Sequence, residues 1–194
     1  MLLYANTRIA KTGTMRIAKA TLNRLWLVST LLALVVYAVL ASLDARLKAL
    51  SGVGTFELQS LASGIQYDAA FHAWGVRGYL ARAGFNLGFD YLFIPLYGAA
   101  MFYSGVILVE AFASTQSRLR RILSLAALAP VVAAGLDVIE NALQLVMLTG
   151  GPSDALAQAA HILSTAKLAG LLVGLLLLIG AVVVRLKARG RAQA

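Results

Sequence analysis

The chain has 194 residues, of which 60% are hydrophobic and only 13% charged, with a mean hydropathy of +0.81. Soluble domains carry roughly 25% charged residues, so this composition excludes an ordinary water-soluble domain and points to lipid as the solvent. The formal charge is +9, from 17 Lys and Arg against 8 Asp and Glu, and the lack of Cys excludes disulfides, thiol redox chemistry and thiolate metal sites.

Residues 1–24 form a basic N-terminal segment; residues 1–14 read as an extension, and Met15 is an alternative start. Leu25–Leu43 is the first segment that meets the roughly 20 apolar residues needed to cross a bilayer. Val39-Leu40-Ala41 has the small-residue character of a signal cleavage site, but the apolar run exceeds the about 7–15 residues of a signal core, so it is read as a retained span. The segment 44–87 is too long for a structureless connection in a compact protein. With Phe56-Glu57-Leu58 and the aromatic run Tyr67–Tyr79, it predicts one or two short amphipathic helices on the outer interface, as an anchor or as a lid over a site.

Three further spans follow at Gly88–Phe112, Ile122–Leu148 and Ala157–Val184, joined by short connections that make them antiparallel neighbours. Gly150-Gly151-Pro152 stops a helix, and Ser153 or Asp154 can cap the next. Pro95 and Pro130 each remove a backbone donor and predict kinks near polar residues. Gly170 and Gly174 permit close helix approach. The fold class is thus all-α, a polytopic membrane protein with one four-helix transmembrane domain over 25–186 and a basic tail over 187–194.

Basic residues flank these spans. Arg8, Lys11, Arg16, Lys19, Arg24, Arg118, Arg120, Arg121, Arg185, Lys187, Arg189 and Arg191 fall on one side, and only Arg46, Lys48, Arg77 and Arg82 on the other. The positive-inside rule then makes both termini cytoplasmic, in a bacterial inner membrane. No basic stripe with interleaved aromatics suggests nucleic acid. The partners implied are membrane lipids, with a protein partner or a second copy in the membrane.

The informative residues are the ionisable ones inside spans, which are costly in lipid and usually paired, wet or functional. They are Asp90, Asp137, Glu140 and Lys167. Asp137, Glu140, Asn141 and Gln144 fall at i, i+3, i+4 and i+7, one helical face that must point into the bundle. Counting about 1.5 Å per residue puts Asp137, Lys167 and Tyr97 in one layer, in the outer half of the bundle, with His161 nearer the outer end. Three carboxylates against one lysine require a proton, a bound cation or access to water. A Lys167–Asp137 pair that only locks the bundle does not need three.

An Asp-x-x-Glu pair can hold a hard cation, and His72 and His161 are conceivable zinc or iron ligands. No His-rich motif accompanies them, so no metal and no cofactor is assigned. Phe56-Glu57-Leu58, Trp74, Asp90-x-x-Phe93-Ile94-Pro95-x-Tyr97, Asp137-x-x-Glu140-Asn141 and Lys167 together resemble a pattern of small bacterial four-helix membrane proteins with no established activity. That resemblance implies the same fold and groups Glu57 and Trp74 with the cluster, without a mechanism.

Asp137, Glu140, Asp90 and Lys167 are the candidate catalytic groups. Asn141, Tyr97, Gln144, His161, Trp74 and Glu57 are the candidate ligand-binding groups. The reading favoured is a pocket that binds or modifies a lipid or other amphiphile. A structural subunit with a helix-locking cluster is the first alternative, and proton or ion transfer the second.

Overall fold

The computed structural model describes residues 19–112 and 117–193; the side chains of residues 117 and 188–193 are outside it. Arg8, Lys11, Arg16 and Met15 therefore lie outside the described residues. The chain is all-α: α1 (Lys19–Ser51), a 3-10 turn η1 (Phe56–Ser60), α2 (Gly64–Gly75), α3 (Leu80–Ala111), α4 (Ser117–Ala126), α5 (Ala129–Gly150) and α6 (Asp154–Gln193). Among the described residues, four helical segments are long and apolar enough to cross a membrane: Lys19–Ser51, Leu80–Ala111, Arg118–Gly150 and Asp154–Lys187.

Each span turns one seam inward and leaves the rest apolar and exposed, as lipid requires. In α1 the buried positions Leu22, Trp26, Ser29, Ala33, Val36, Leu40, Asp44, Leu47 and Ser51 recur every three or four residues, while Leu31, Leu34 and Val35 are exposed. That seam packs on α3, and α3 in turn packs on α5 and α6. Near one end α1 also reaches α6, where Arg185 donates to Asn23 at 2.6 Å and lies over the Trp26 ring. Lys19, Arg24, α4 with Arg118, Arg120 and Arg121, and the end of α6 therefore share one end of the bundle. The η1–α2 segment caps the other.

The helices are longer than the apolar runs suggested, because charged residues continue them. α1 runs through Asp44, Arg46 and Lys48, and α3 begins at Leu80, so the expected outer loop shrinks to η1 and α2. Asp44 is buried and accepts from Thr55 Oγ1 at 2.9 Å and from the Phe56 amide at 3.1 Å. Asn86 Nδ2 of α3 donates to Thr55 Oγ1 at 2.6 Å, which pins η1 between two spans. A Cβ at Gly54 would stand 2.5 Å from Asp44 Oδ2, so this approach needs glycine. Glu57 pairs with Lys48 and accepts from the Gly54 amide at 2.7 Å. These partners hold its carboxyl below the usual range.

α2 starts with a capping box, Ser63 and Gln66 satisfying each other's backbone amides. It packs inward through Tyr67, Ala70, Phe71 and Trp74, and Asp154 Oδ1 accepts from the Gly64 amide at 2.8 Å. Pro95 lies inside α3 as expected. Pro130 does not kink a helix interior: it stands in the first turn of α5, where a missing N–H costs nothing. The span expected from Ile122 is accordingly split, Ile122–Ala126 belonging to α4.

Gly170 and Gly174 face the interior of their own bundle. A Cβ at Gly170 would lie 2.8 Å from the Ala129 carbonyl oxygen, whereas one at Gly135 meets nothing within 4 Å. Gly170→Ala is expected to destabilise by about 1–3 kcal/mol through overpacking of α5 on α6. Gly135→Ala is expected to be neutral or mildly stabilising. Unfolding of the two variants in mixed detergent checks the contrast; equal effects would contradict this packing.

Candidate functional site

The polar face of α5 meets α6 and α3 across the bundle interior. Lys167 Nζ lies 2.7 Å from Asp137 Oδ1 and 2.6 Å from Glu140 Oε2. Side-chain exposure is 3% for Lys167, 6% for Asp137 and 0% for Glu140, so water cannot screen this triad appreciably. The Glu140 contact lacks hydrogen-bond geometry, so charge rather than direction holds it. Tyr97 Oη donates to Asp137 Oδ2 at 2.9 Å, and Gln144 Nε2 donates to Glu140 Oε1 at 3.0 Å. Asp137 is thereby hydrogen-bonded at both oxygens, and Glu140 at Oε1, its Oε2 facing the Lys167 charge.

Asp90 stands apart from the triad. Asn141 Nδ2 donates to its Oδ2 at 2.6 Å, but no cation among the described residues lies within ion-pair distance of it. Burial is less complete here than at Asp137 or Glu140.

Helix lengths set the depth of this layer. At about 1.5 Å per residue, Lys167 is roughly 20 Å from Asp154 and roughly 30 Å from Lys187. The Lys167–Asp137 layer is thus close to mid-height. Asp90, Glu140, Asn141 and Gln144 lie toward the α2 end. It is deeper than the count from apolar runs indicated, because the helices extend beyond those runs.

A cavity of about 280 Å³ opens on this layer. Its floor is Asp90, Tyr97, Asp137 and Lys167; its walls are Tyr37 and Leu40 of α1, Phe93 of α3 and Leu171 of α6; Phe56 and Gln59 of η1 roof it. Tyr37, Phe93 and Tyr97 also line an adjoining apolar groove of about 120 Å³, continued by Ala33, Leu34, Ala100, Met101 and Leu178. A larger cavity of about 420 Å³ lies at the opposite, basic end, beside Lys19, Glu110 and Arg185. It has none of the buried cluster around it, so the smaller cavity is the better candidate.

Of the residues singled out from sequence, Asp90, Tyr97, Asp137 and Lys167 line the cavity. Glu140, Asn141 and Gln144 stand behind it as partners. Trp74 is fully buried in the packing of α2, with its indole N–H on the Val53 carbonyl at 2.8 Å. Glu57 is spent on Lys48 and Gly54, and His161 is half-buried on α6, outside the cavity lining. Among the described residues, no group of three or more His, Asp and Glu stands in a metal-holding arrangement.

No family model, curated protein or solved structure matches the chain. The site rests on its own geometry.

Sequence reasoning missed Tyr37, Gln59, Tyr67 and Asp44. Tyr37 is the one aromatic in the middle of an otherwise aliphatic run, a usable signal. Tyr67 is fully buried, donates to the Leu58 carbonyl at 2.9 Å and lies near Glu140. Burial, reinforced by the Glu140 carboxylate, pushes its hydroxyl up to about 12. It stays neutral at any physiological pH.

Lys167→Met leaves two carboxylates buried without a cation and is expected to cost about 3–5 kcal/mol. Adding Asp137→Asn and Glu140→Gln should restore much of that loss. Unfolding in detergent measures both variants, and a Lys167→Met protein as stable as the parent would refute the triad as a structural element.

Proposed function

We propose that the chain is an integral membrane protein of a bacterial inner membrane that binds an amphiphile, its head on the Asp90–Asp137–Lys167 floor and its tail in the adjoining groove. The observation that carries this reading is the continuity of a charged cavity with a purely apolar one through Tyr37, Phe93 and Tyr97. A head-and-tail ligand matches that division; a small polar solute would leave the groove unused. Both cavities lie beside exposed aliphatic faces of α1 and α6, so a ligand can enter from the bilayer. The basic end, with Lys19, Arg24, Arg118, Arg120, Arg121, Arg185 and Lys187, faces the cytoplasm in this reading, and η1 and α2 face outward. If the ligand is also modified, Asp90 is the group suited to general acid–base work, being the least enclosed of the three clustered carboxylates.

One observation favours a second reading, a structural subunit with a helix-locking cluster. Glu140 has no exposure, is satisfied by Lys167 and Gln144, and does not line the cavity. Proton or ion transfer has no comparable support. Ala129–Leu136 of α5 and Leu168–Val184 of α6 carry no polar side chain, so these faces offer no relay beyond the layer.

Mass spectrometry of lipids extracted from the purified protein tests the proposal. A near-stoichiometric amphiphile is expected, reduced at least tenfold in Ala33→Phe, which fills the groove while Asp137 and Lys167 stay paired. If no amphiphile is retained and Ala33→Phe changes nothing, the structural reading replaces this one.

A further inference from the structure

Four aromatic rings line the cavity. Tyr37 stacks on Phe56 with centroids 6.4 Å apart, Tyr37 meets Phe93 at 5.7 Å, and Phe93 meets Tyr97 at 5.0 Å. Phe93 and Tyr97 are i, i+4 neighbours on α3, and the fold brings Tyr37 of α1 and Phe56 of η1 to them. Only Tyr37 and Phe56 are stacked; Phe93 is tilted against both Tyr37 and Tyr97. Aromatic faces not covered by a neighbour are negative and attract cations, above all desolvated ammonium groups. Within the same cavity stands Asp90, a carboxylate with no cation at ion-pair distance among the described residues.

Lys167 does not counter this. It touches both Asp137 and Glu140, so its single positive charge is already matched twice over. An anionic head would have to displace one of two buried carboxylates and leave that charge uncompensated. A hydroxyl head would gain hydrogen bonds but leave Asp90 without a counter-charge. A cationic head gains both the carboxylate and the rings, with Lys167 fixed at the back of the floor.

We infer that the ligand is an amphiphile with a cationic ammonium head, held by Asp90 and the Tyr37–Phe56–Phe93–Tyr97 aromatic wall. The inference rests on the amphiphile reading above and narrows it to one head-group class. The ammonium sits in the cavity beside the rings and near Asp90, and its alkyl chain runs past Tyr97 toward Met101 and Leu178.

Isothermal titration of the full chain in dodecyl maltoside micelles, corrected with empty micelles, tests it with three probes sharing one tail: hexadecyltrimethylammonium, hexadecyl phosphate and hexadecanol. The ammonium is expected to bind at least tenfold more tightly than the other two. Asp90→Asn, which is isosteric and can still accept from Asn141, should lower ammonium affinity at least tenfold and leave hexadecanol unchanged. Phe93→Leu, which removes a π face at similar volume, should weaken the ammonium selectively. Unchanged hexadecanol binding shows that a variant is folded. If the phosphate or the alcohol binds as tightly as the ammonium, the head-group inference is overturned and the amphiphile reading stands. If none of the three binds beyond micelle partition, both fall.

Discussion

One lysine shared by two carboxylates holds the centre of this protein. A transmembrane helix gains little from burying apolar side chains against others, because lipid is as apolar as they are. Specific pairing must come from close packing and from polar groups that lipid cannot satisfy. Lys167 supplies the second and the small residues around it supply the first. Gly170 and Gly174 let α6 approach Ala129, Ala133 and Pro130 closely enough for Nζ to reach both acids on α5. Tyr97 then joins α3 to the same carboxylate, so three of the four spans meet at Asp137.

The fourth span is attached differently, and the cavity follows from that. α1 packs along α3 and is fastened to α6 near the basic end, through Trp26, Asn23 and Arg185. Toward the other end, η1 bridges α1 to α3 through Asp44, Thr55 and Asn86 instead. Between these two fastenings α1 and α6 stand apart, and the gap is the cavity and its groove. The site is therefore a consequence of where α1 is tied. The same ties aim Tyr37 and Phe56 into it.

Much of this was legible in the sequence, for identifiable reasons. Apolar runs revealed four spans because lipid imposes length and hydropathy directly. The i, i+3, i+4, i+7 spacing placed Asp137, Glu140, Asn141 and Gln144 on one inward face, since no helix can turn four polar groups to lipid. Helix ends were less legible: Asp44, Arg46 and Lys48 read as loop, yet a helix that leaves the hydrocarbon continues through charged residues freely. The role of Pro130 depended on a helix boundary that its own ring creates. Glu57 and Trp74 share in a pattern with the cluster but serve η1 and α2, a distinction only tertiary contacts make. Phe56 and Phe93 stand in that pattern too, but their meeting with Tyr37 joins three separate elements, which no local spacing reveals.

The distribution of negative charge is the remaining matter. A network meant only to lock helices is best neutral, because each excess charge in a low dielectric costs several kcal/mol. Here the carboxylates exceed the lysine by two, yet the excess is not spread evenly. Asp137 and Glu140 have every oxygen occupied by Lys167, Tyr97 or Gln144. Asp90 has Asn141, a neutral donor, and a place on the cavity wall. Chance placement of a third carboxylate would as readily put it behind the triad, where nothing could relieve it. It stands instead where a ligand's charge can reach it, beside four aromatic rings that favour the same sign.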